Sequence, residues 1–184
     1  KAENDYWNTG AIFVKSVSNV IGDNDEERIE LNALNNGVET SFYASDDRFI
    51  KGVEAGDIIV AHFNQKGEIN RDIITLYKNG EIFTAQEKPL KGNASYAGEV
   101  YVMQGHVVLK NESAMVLDYG TNTAKIPLSV VKNIIVYDTK TTRENNIFTI
   151  GSLSDIYAGN SLDSASNVLV YFRSSMPVSI VVIK

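Results

Sequence analysis

The order of hydrophobic and polar residues predicts a chain built from short β-strands. An apolar run at residues 11–14 is followed by alternation of polar and apolar side chains, and residues 28–32 alternate in the same way. A period of two is that of a strand with one buried face. The Asn-Gly pairs at 36–37 and 79–80 predict tight hairpin turns, because both residue types accept a positive φ angle.

A second pattern predicts a tandem repeat. Residues 53–77 contain a turn, a strand (55–62), a tight turn and a partner strand (72–76). About 110 residues later, residues 165–172 match 55–62, and residues 179–183 match 72–76, which places Leu169 at the position of Ile59. Self-similarity at a fixed spacing is typical of repeated structural units.

Helix is predicted only as single turns. Residues 45–47 are typical of a helix start before Ile50, Pro127 favours a first helical turn over 127–131, and residues 151–157 favour a short helix that begins at a serine. A hairpin partner strand is expected at 81–84, and residues 86–93 are polar with Pro89 and Gly92, which predicts a linker.

These patterns predict an all-β chain of two tandem small β-barrels of the OB or SH3-like kind. Closure of each sheet into a barrel would remove exposed strand edges. The predicted boundaries are a lead-in at 1–9, a first barrel at 10–88, a linker at 89–95 and a second barrel at 96–184. The second barrel carries an insertion at about 138–164 that the first lacks.

Charge and composition narrow the possible functions. The net charge of −6 argues against nucleic acid as a partner, because phosphate binding needs clustered Lys and Arg. No apolar run reaches the roughly 20 residues of a membrane helix, so no membrane insertion is expected. The absence of cysteine removes disulfides and thiolate sites. The start at Lys1, without Met or a signal-like segment, predicts a piece of a longer protein.

Charge is also distributed unevenly along the chain. The first 90 residues carry 9 basic and 16 acidic side chains, whereas residues 91–184 carry 8 and 7. Two units with different surfaces would produce this asymmetry.

Few residues form candidate sites of chemistry. Asp23, Asp25 and Glu26 resemble the start of a calcium loop, but Arg28 is close by and the glutamate expected at the far end of such a loop is missing, so a solvated acidic turn is the favoured interpretation. His62 and His106 lie among apolar residues on predicted strands, where half-buried structural histidines are common. No motif supplies a nucleophile, base or metal set. We expect no catalytic residue and no cofactor.

The adjacent aromatics Tyr6 and Trp7 are candidates for stacking on a sugar ring. The alternative is that this pair caps a core or an interdomain joint. The other tyrosines and phenylalanines are spread along predicted strands, which is the distribution expected for core and cross-strand packing.

Four short segments carry a resemblance to a known class of proteins. VEAGDIIV at 53–60, QKGEI at 65–69, IGSLSDI at 150–156 and SNVLVYFR at 166–173 are similar to repeated small β modules of Gram-positive surface proteins. Such modules often accompany S-layer homology domains. The resemblance implies a non-catalytic role as a spacer or lattice part, outside the cell in the cell wall or at the cell surface, with other surface proteins or cell-wall polysaccharide as partners. It carries over no functional residues.

The sequence therefore leads to one main hypothesis and two alternatives. The main hypothesis is a structural or interaction module of a bacterial cell-surface protein. The first alternative is a carbohydrate-binding β module, for which loss of glycan binding in Trp7→Ala would be the test. The second is a structural component of a phage tail or baseplate, which neighbouring genes would reveal. An enzyme is not expected.

Overall fold

The structure, a computed structural model, describes residues 5–90, 100–160 and 164–184. The chain divides into two units, unit 1 (Lys1–Asn79) and unit 2 (Gly80–Lys184). Strands make up 51% of the structure and helices 7%, which confirms the prediction of an all-β chain. None of the sheets closes into a barrel, so the finer expectation of OB or SH3-like barrels is not confirmed.

Unit 1 is built on a five-stranded antiparallel sheet. Its strands, in chain order, are β1 (Tyr6–Trp7), β2 (Ile12–Ile21), β3 (Glu27–Asn35), β4 (Val38–Phe42), β5 (Ile58–Val60), β6 (His62–Phe63) and β7 (Ile74–Tyr77). The sheet has the order β4-β3-β2-β5-β7, and β1 pairs with β6 in a separate two-stranded sheet. The predicted lead-in at 1–9 therefore contains a strand that belongs to unit 1.

Local sequence explains the connections of unit 1. The β3–β4 turn places Asn36 at φ 53° and Gly37 at φ 77°, the left-handed pair that a two-residue hairpin turn requires. After β4, Asp46 caps a single 3-10 turn (Asp47–Ile50), because its carboxylate accepts the N–H of Arg48 at 2.9 Å. Gly52 follows with a φ of 81°. The prediction of one capped turn at this position is confirmed.

Alternation along the strands builds the core of unit 1. Side chains of one parity point inward from the sheet, whereas those of the other parity point outward. The buried cluster consists of Ile12, Val14, Leu31, Ala33, Phe42, Ala44, Ile50, Val53, Ile59, Ala61, Phe63 and Ile69. Every member comes from unit 1, and Ile59 has no exposed surface.

Unit 2 has a longer sheet that includes one parallel pair. Its strands are β8 (Gln86–Pro89), β9 (Val100–Lys110), β10 (Ala114–Asp118), β11 (Thr123–Pro127), β12 (Asn133–Tyr137), β13 (Phe148–Ile150), β14 (Asn167–Arg173) and β15 (Met176–Ile183). The order is β11-β10-β9-β14-β15-β12-β13, with β8 also paired to β9. Strand β12 runs parallel to β15. A four-residue helix, α1 (Glu144–Ile147), and a 3-10 turn (Leu153–Asp155) lie within the expected insertion.

The two units share one order of strands, which agrees with the predicted repeat. A meander of three strands (β2-β3-β4 or β9-β10-β11) is followed by a strand that returns antiparallel to the first one (β5 or β14) and then by its partner (β7 or β15). The additional strands β12 and β13 extend the sheet of unit 2 beyond β15. The predicted hairpins are β5–β7 and β14–β15. The first strand of the β5–β7 hairpin is interrupted at Ala61 and continues as β6, which pairs with β1 in the separate sheet.

One buried cluster of unit 2 lies on one side of β14. It consists of Val107, Met115, Leu117, Ile126, Leu128, Ile156, Val168, Val170, Phe172, Ile180 and Val182. Leu169 points to the opposite side of the strand, where it is also fully buried. Ile59 and Leu169 therefore match in sequence but differ in position. Ile59 belongs to the buried cluster of unit 1, whereas Leu169 lies outside this buried cluster of unit 2.

One glycine of unit 2 is required by a close backbone approach. A Cβ atom added to Gly105 would lie 1.8 Å from the carbonyl oxygen of Asp118. Gly105 marks the point on β9 where the neighbouring strand changes from β8 to β10. Only a residue without a side chain allows both neighbours to pair with one continuous strand.

Three local predictions differ from the structure. Residues 81–84 form no strand, and residues 128–131 form a turn without helix, because Pro127 ends strand β11. Within the predicted linker, Gln86–Pro89 pairs with β9, so this segment belongs to unit 2, and the division between units falls after Asn79. Residues 91–95 of that linker lie outside the described residues.

Candidate functional site

The acidic turn does not bring its carboxylates together. Asp23, Asp25 and Glu26 are all exposed in the turn between β2 and β3. The N–H of Gly22 donates to the carbonyl of Glu26 at 2.8 Å, and the N–H of Asp25 donates to the carbonyl of Gly22 at 3.1 Å. Among the residues that the structure describes, no group of three or more His, Cys, Asp or Glu side chains is arranged to hold a metal ion. The geometry is that of a solvated hairpin turn.

Tyr6 and Trp7 do not form a shared stacking surface. They are consecutive residues of β1, so their side chains point to opposite faces. Tyr6 is 52% exposed, whereas Trp7 is 8% exposed. The Trp7 ring meets the His62 ring edge-on, with 5.2 Å between centroids. Only Tyr6 remains accessible to a ligand, and Trp7 packs within unit 1.

The two histidines have different surroundings. His62 is buried on β6, and its Nδ1 lies 2.6 Å from the side-chain oxygen of Asn70. The amide nitrogen of Asn70 donates to the Asp5 carboxylate at 3.0 Å. These bonds connect β6 to the segment that contains β1. His106 is half-buried on β9, opposite Asn167 and Asp118.

The most developed polar surface lies on the outer side of the β2-β3-β4 meander. We call it the polar face, and its residues are Ser16, Arg28, Glu30, Asn32, Ser41 and Tyr43. Residues 28, 30 and 32 share one parity on β3, while Ile29, Leu31 and Ala33 point to the core. The alternation that builds the core therefore also places these polar groups on one surface.

Asn32 is the centre of the polar face. It lies directly across from Ser16 on β2 and Ser41 on β4. Its amide nitrogen donates to the hydroxyl of Ser16 at 3.2 Å and to Glu30 at 3.3 Å, and its oxygen accepts from the hydroxyl of Ser41 at 2.7 Å. Cross-strand bonds of this kind hold three strands in register.

Tyr43 lies at one end of the polar face. Its hydroxyl donates a hydrogen bond to the Glu30 carboxylate, and the guanidinium carbon of Arg28 lies 4.8 Å from its ring centroid. Arg28 also donates to the carbonyl of Ala44 at 3.0 Å and to Glu68 at 3.2 Å. The bond to Glu30, with burial and the charge of Glu30, raises the pKa of the Tyr43 phenol above its ordinary value.

Asp57 is the buried acid of the segment that opens the predicted repeat. One of its carboxylate oxygens accepts the N–H of Asn79 at 2.8 Å. The other accepts the N–H of Glu54 at 2.9 Å and the ammonium group of Lys78 at 2.7 Å. The buried carboxylate therefore joins the turn before β5 to the end of β7.

The sequence indicated only part of these arrangements. The period of two at residues 28–32 showed that Arg28, Glu30 and Asn32 share a face. Their partners Ser16, Ser41 and Tyr43 come from other strands, and only the pairing register brings them together. A polar face without an active-site motif gives no local signal in sequence.

No family model, curated protein or solved structure matches the chain. No helix of the described residues is long and apolar enough to cross a membrane.

Proposed function

We propose that the chain is a non-catalytic structural or interaction module of a bacterial, S-layer-associated cell-surface protein. The observation that carries this proposal is the repeated order of strands in the two units, since modular surface proteins are built from repeated β domains. Other surface proteins or cell-wall polysaccharide would be the partners, and the module would act outside the cell. The four segments that resemble Gram-positive surface modules support the same proposal.

The use of charge in unit 1 supports a structural role. The buried Asp57 carboxylate binds two backbone N–H groups and Lys78. The buried ammonium group of Lys15 pairs with Glu39 on another strand. Each of these groups is engaged in joining chain segments, which is how buried charges stabilise one arrangement of a fold.

The finer architecture that we propose for unit 1 is a small barrel of the OB or SH3-like kind. Ile69 forms an antiparallel bridge with Phe63 on β6 and a parallel bridge with Ala44, two residues after β4. These bridges connect the last strand of the meander back to the chain that continues from β5. For unit 2, the proposal is supported by the shared order of strands.

The full-length gene tests the cell-surface proposal. We expect it to encode an export signal and wall-anchoring repeats in addition to this chain. A tagged full-length protein in its native host should be removed by protease added to intact cells, while a cytosolic marker protein remains. Protection of the protein until the cells are lysed would contradict the proposal.

A carbohydrate-binding module is a second candidate because of the polar face. Amide, hydroxyl and carboxylate groups at Asn32, Ser41 and Glu30 are the groups that hydrogen-bond sugar hydroxyls, and Tyr6 is an exposed aromatic ring. Trp7→Ala is a poor test, because it removes a packed side chain. Co-sedimentation with purified cell-wall polysaccharide should instead be compared for Asn32→Ala, Tyr6→Ala and a control in unit 2, the exposed Lys125→Ala. Equal sedimentation of all three variants and the unmodified chain would exclude both the polar face and Tyr6 as sugar-binding sites.

A further inference from the structure

The edge strands at equivalent positions of the two units differ in sequence. Strand β4 ends the sheet of unit 1, and β11 occupies the same position in unit 2. Strand β11 has the sequence Thr-Ala-Lys-Ile-Pro, with an exposed lysine at 125 and a proline at 127. Lysine and proline are the residues that commonly prevent a strand edge from pairing with another chain. Strand β4, with the sequence Val-Glu-Thr-Ser-Phe, contains neither.

The backbone of β4 is oriented to accept another strand. The two-residue turn at Asn36 and Gly37 makes Asn35 and Val38 a hydrogen-bonded pair. Alternation then directs the N–H and C=O groups of Glu39 and Ser41 away from β3. The next residue of this parity, Tyr43, confirms the direction, because its carbonyl accepts the N–H of Ile69 at 2.9 Å. Within the described residues, β3 is the strand that pairs with β4 over Val38–Phe42.

The side chains of β4 are also compatible with a partner. Val38 is 62% exposed, and Glu39 and Ser41 are exposed. Glu39 is the single charged residue of the strand, and the ammonium group of Lys15 neutralises it. The edge therefore presents the outward-pointing backbone groups of Glu39 and Ser41 and the exposed apolar side chain of Val38. The charge of Glu39 is paired with Lys15.

We propose that β4 pairs antiparallel with β4 of a second copy of this chain. In this register Thr40 lies on the two-fold axis, Glu39 lies opposite Ser41 of the second copy, and Val38 lies opposite Phe42. Glu39 of each copy then forms a hydrogen-bonded pair with Ser41 of the other copy. Each of these two pairs exchanges two backbone hydrogen bonds, which gives four in total. A two-fold interface of this kind joins the same surface of both copies.

The two neighbouring registers of this antiparallel pair are less favourable. An axis at Glu39 would place two carboxylates directly opposite each other, which destabilises a strand pair. An axis at Ser41 would pair Glu39 with Tyr43, whose carbonyl is already bonded to Ile69. The axis at Thr40 avoids both problems. This inference is independent of the proposed cell-surface role, because it depends only on the edge of β4.

Sedimentation velocity on the full chain, from about 1 µM to about 1 mM, tests the self-association. We expect a reversible dimer. Ser41→Pro removes the outward N–H of Ser41 and no N–H of the β3–β4 ladder, so it should weaken the dimer about tenfold or more. Ser41→Ala is the matched control, because it loses the same hydroxyl bond to Asn32 but keeps the N–H, and it should dimerise like the unmodified chain.

A cross-linking experiment tests the register, even if Ser41→Pro fails to fold. The chain contains no cysteine, so Thr40→Cys introduces a single thiol at the two-fold axis. A non-hydrogen-bonded antiparallel pair brings Cα atoms to about 4.5 Å, within the range of a disulfide. Mild oxidation should give a covalent dimer of Thr40→Cys faster than of Val38→Cys, whose thiols would lie about 13 Å apart.

Three results would overturn the proposal. They are a monomer at every concentration, a dimer that Ser41→Pro leaves unchanged, and equal cross-linking of the two cysteine variants. Binding of β4 to an extended peptide of another protein, without self-association, would also reject the second copy as the partner.

Discussion

In unit 1, single buried charged side chains hold separate chain segments together. Asp57 is the clearest example, because its carboxylate binds the backbone on both sides of the β5–β7 pair and also Lys78. The sequence showed Asp57 as part of a repeated segment, aligned with Asn167. It did not show that the side chain was buried, since two of its three partners, Lys78 and Asn79, lie more than 20 residues later in the chain.

We predict that Asp57→Ala lowers the free energy of unfolding of unit 1 by about 2–4 kcal/mol. The substitution removes the acceptor of two backbone N–H groups and the partner of Lys78. Lys78→Met should cost less, about 1 kcal/mol, because the Lys78 side chain is partly exposed and solvent screens its charge. Urea denaturation of both variants measures the difference. An equal loss for the two variants would show that the backbone bonds of Asp57 contribute little.

We also predict that Tyr43 is protonated to higher pH than an ordinary tyrosine. The hydrogen bond to Glu30, then burial, then the charge of Glu30 raise its pKa. A raised pKa in the folded state means that the contribution of Tyr43 to stability is present below the unfolded value of about 10 and is lost as pH rises through the folded value. Compared with the unmodified chain, ultraviolet titration should show one late-ionising tyrosine fewer in Tyr43→Phe, and one tyrosine that ionises earlier in Glu30→Gln. An unchanged titration of Glu30→Gln would rule out this cause.

At the scale of the element, strands were predicted well where the signal was local. Alternation and turn residues located β2, β3, β4 and the hairpin β14–β15. The sequence missed β8, because Gln86–Pro89 is polar and becomes a strand only through its pairing with β9. It missed the parallel pairing of β12 with β15 for the same reason, since the two strands are separated by the whole insertion. The polar face could not be predicted because it requires the register of three strands.

The β14–β15 turn provides a test at this scale. Ser174 and Ser175 have φ angles of 52° and 65°, in a left-handed region that costs a non-glycine residue about 1 kcal/mol or more. Unit 1 makes its β3–β4 turn with Asn36 and Gly37 at similar angles. Replacing Ser174-Ser175 by Asn-Gly should therefore stabilise unit 2 by about 1–2 kcal/mol, measured as a higher midpoint of thermal unfolding. A lowered midpoint would mean that the two serines make contacts that outweigh the strain.

At the scale of the whole molecule, each of the two clusters described above draws its side chains from one unit. The cluster of unit 1 contains Ile59, and that of unit 2 contains Ile180, which pairs with Val170 across the β14–β15 hairpin. Both isoleucines have no exposed surface. They form a better matched pair than Ile59 and Leu169, because Leu169 faces the other side of β14. Two units with separate hydrophobic cores should unfold in separate transitions.

We therefore predict two thermal transitions, each sensitive to the core of one unit. Ile59→Ala removes buried methyl groups and leaves a cavity, at a cost of about 2–5 kcal/mol, which is a large share of the roughly 5–15 kcal/mol that stabilises a typical domain. Calorimetry should show that Ile59→Ala lowers one transition and leaves the other nearly unchanged, and that Ile180→Ala does the reverse. A double variant should lower each transition by the amount found in the corresponding single variant, since substitutions that share no contacts act independently. A single transition that both substitutions lower equally would show that the two units unfold together.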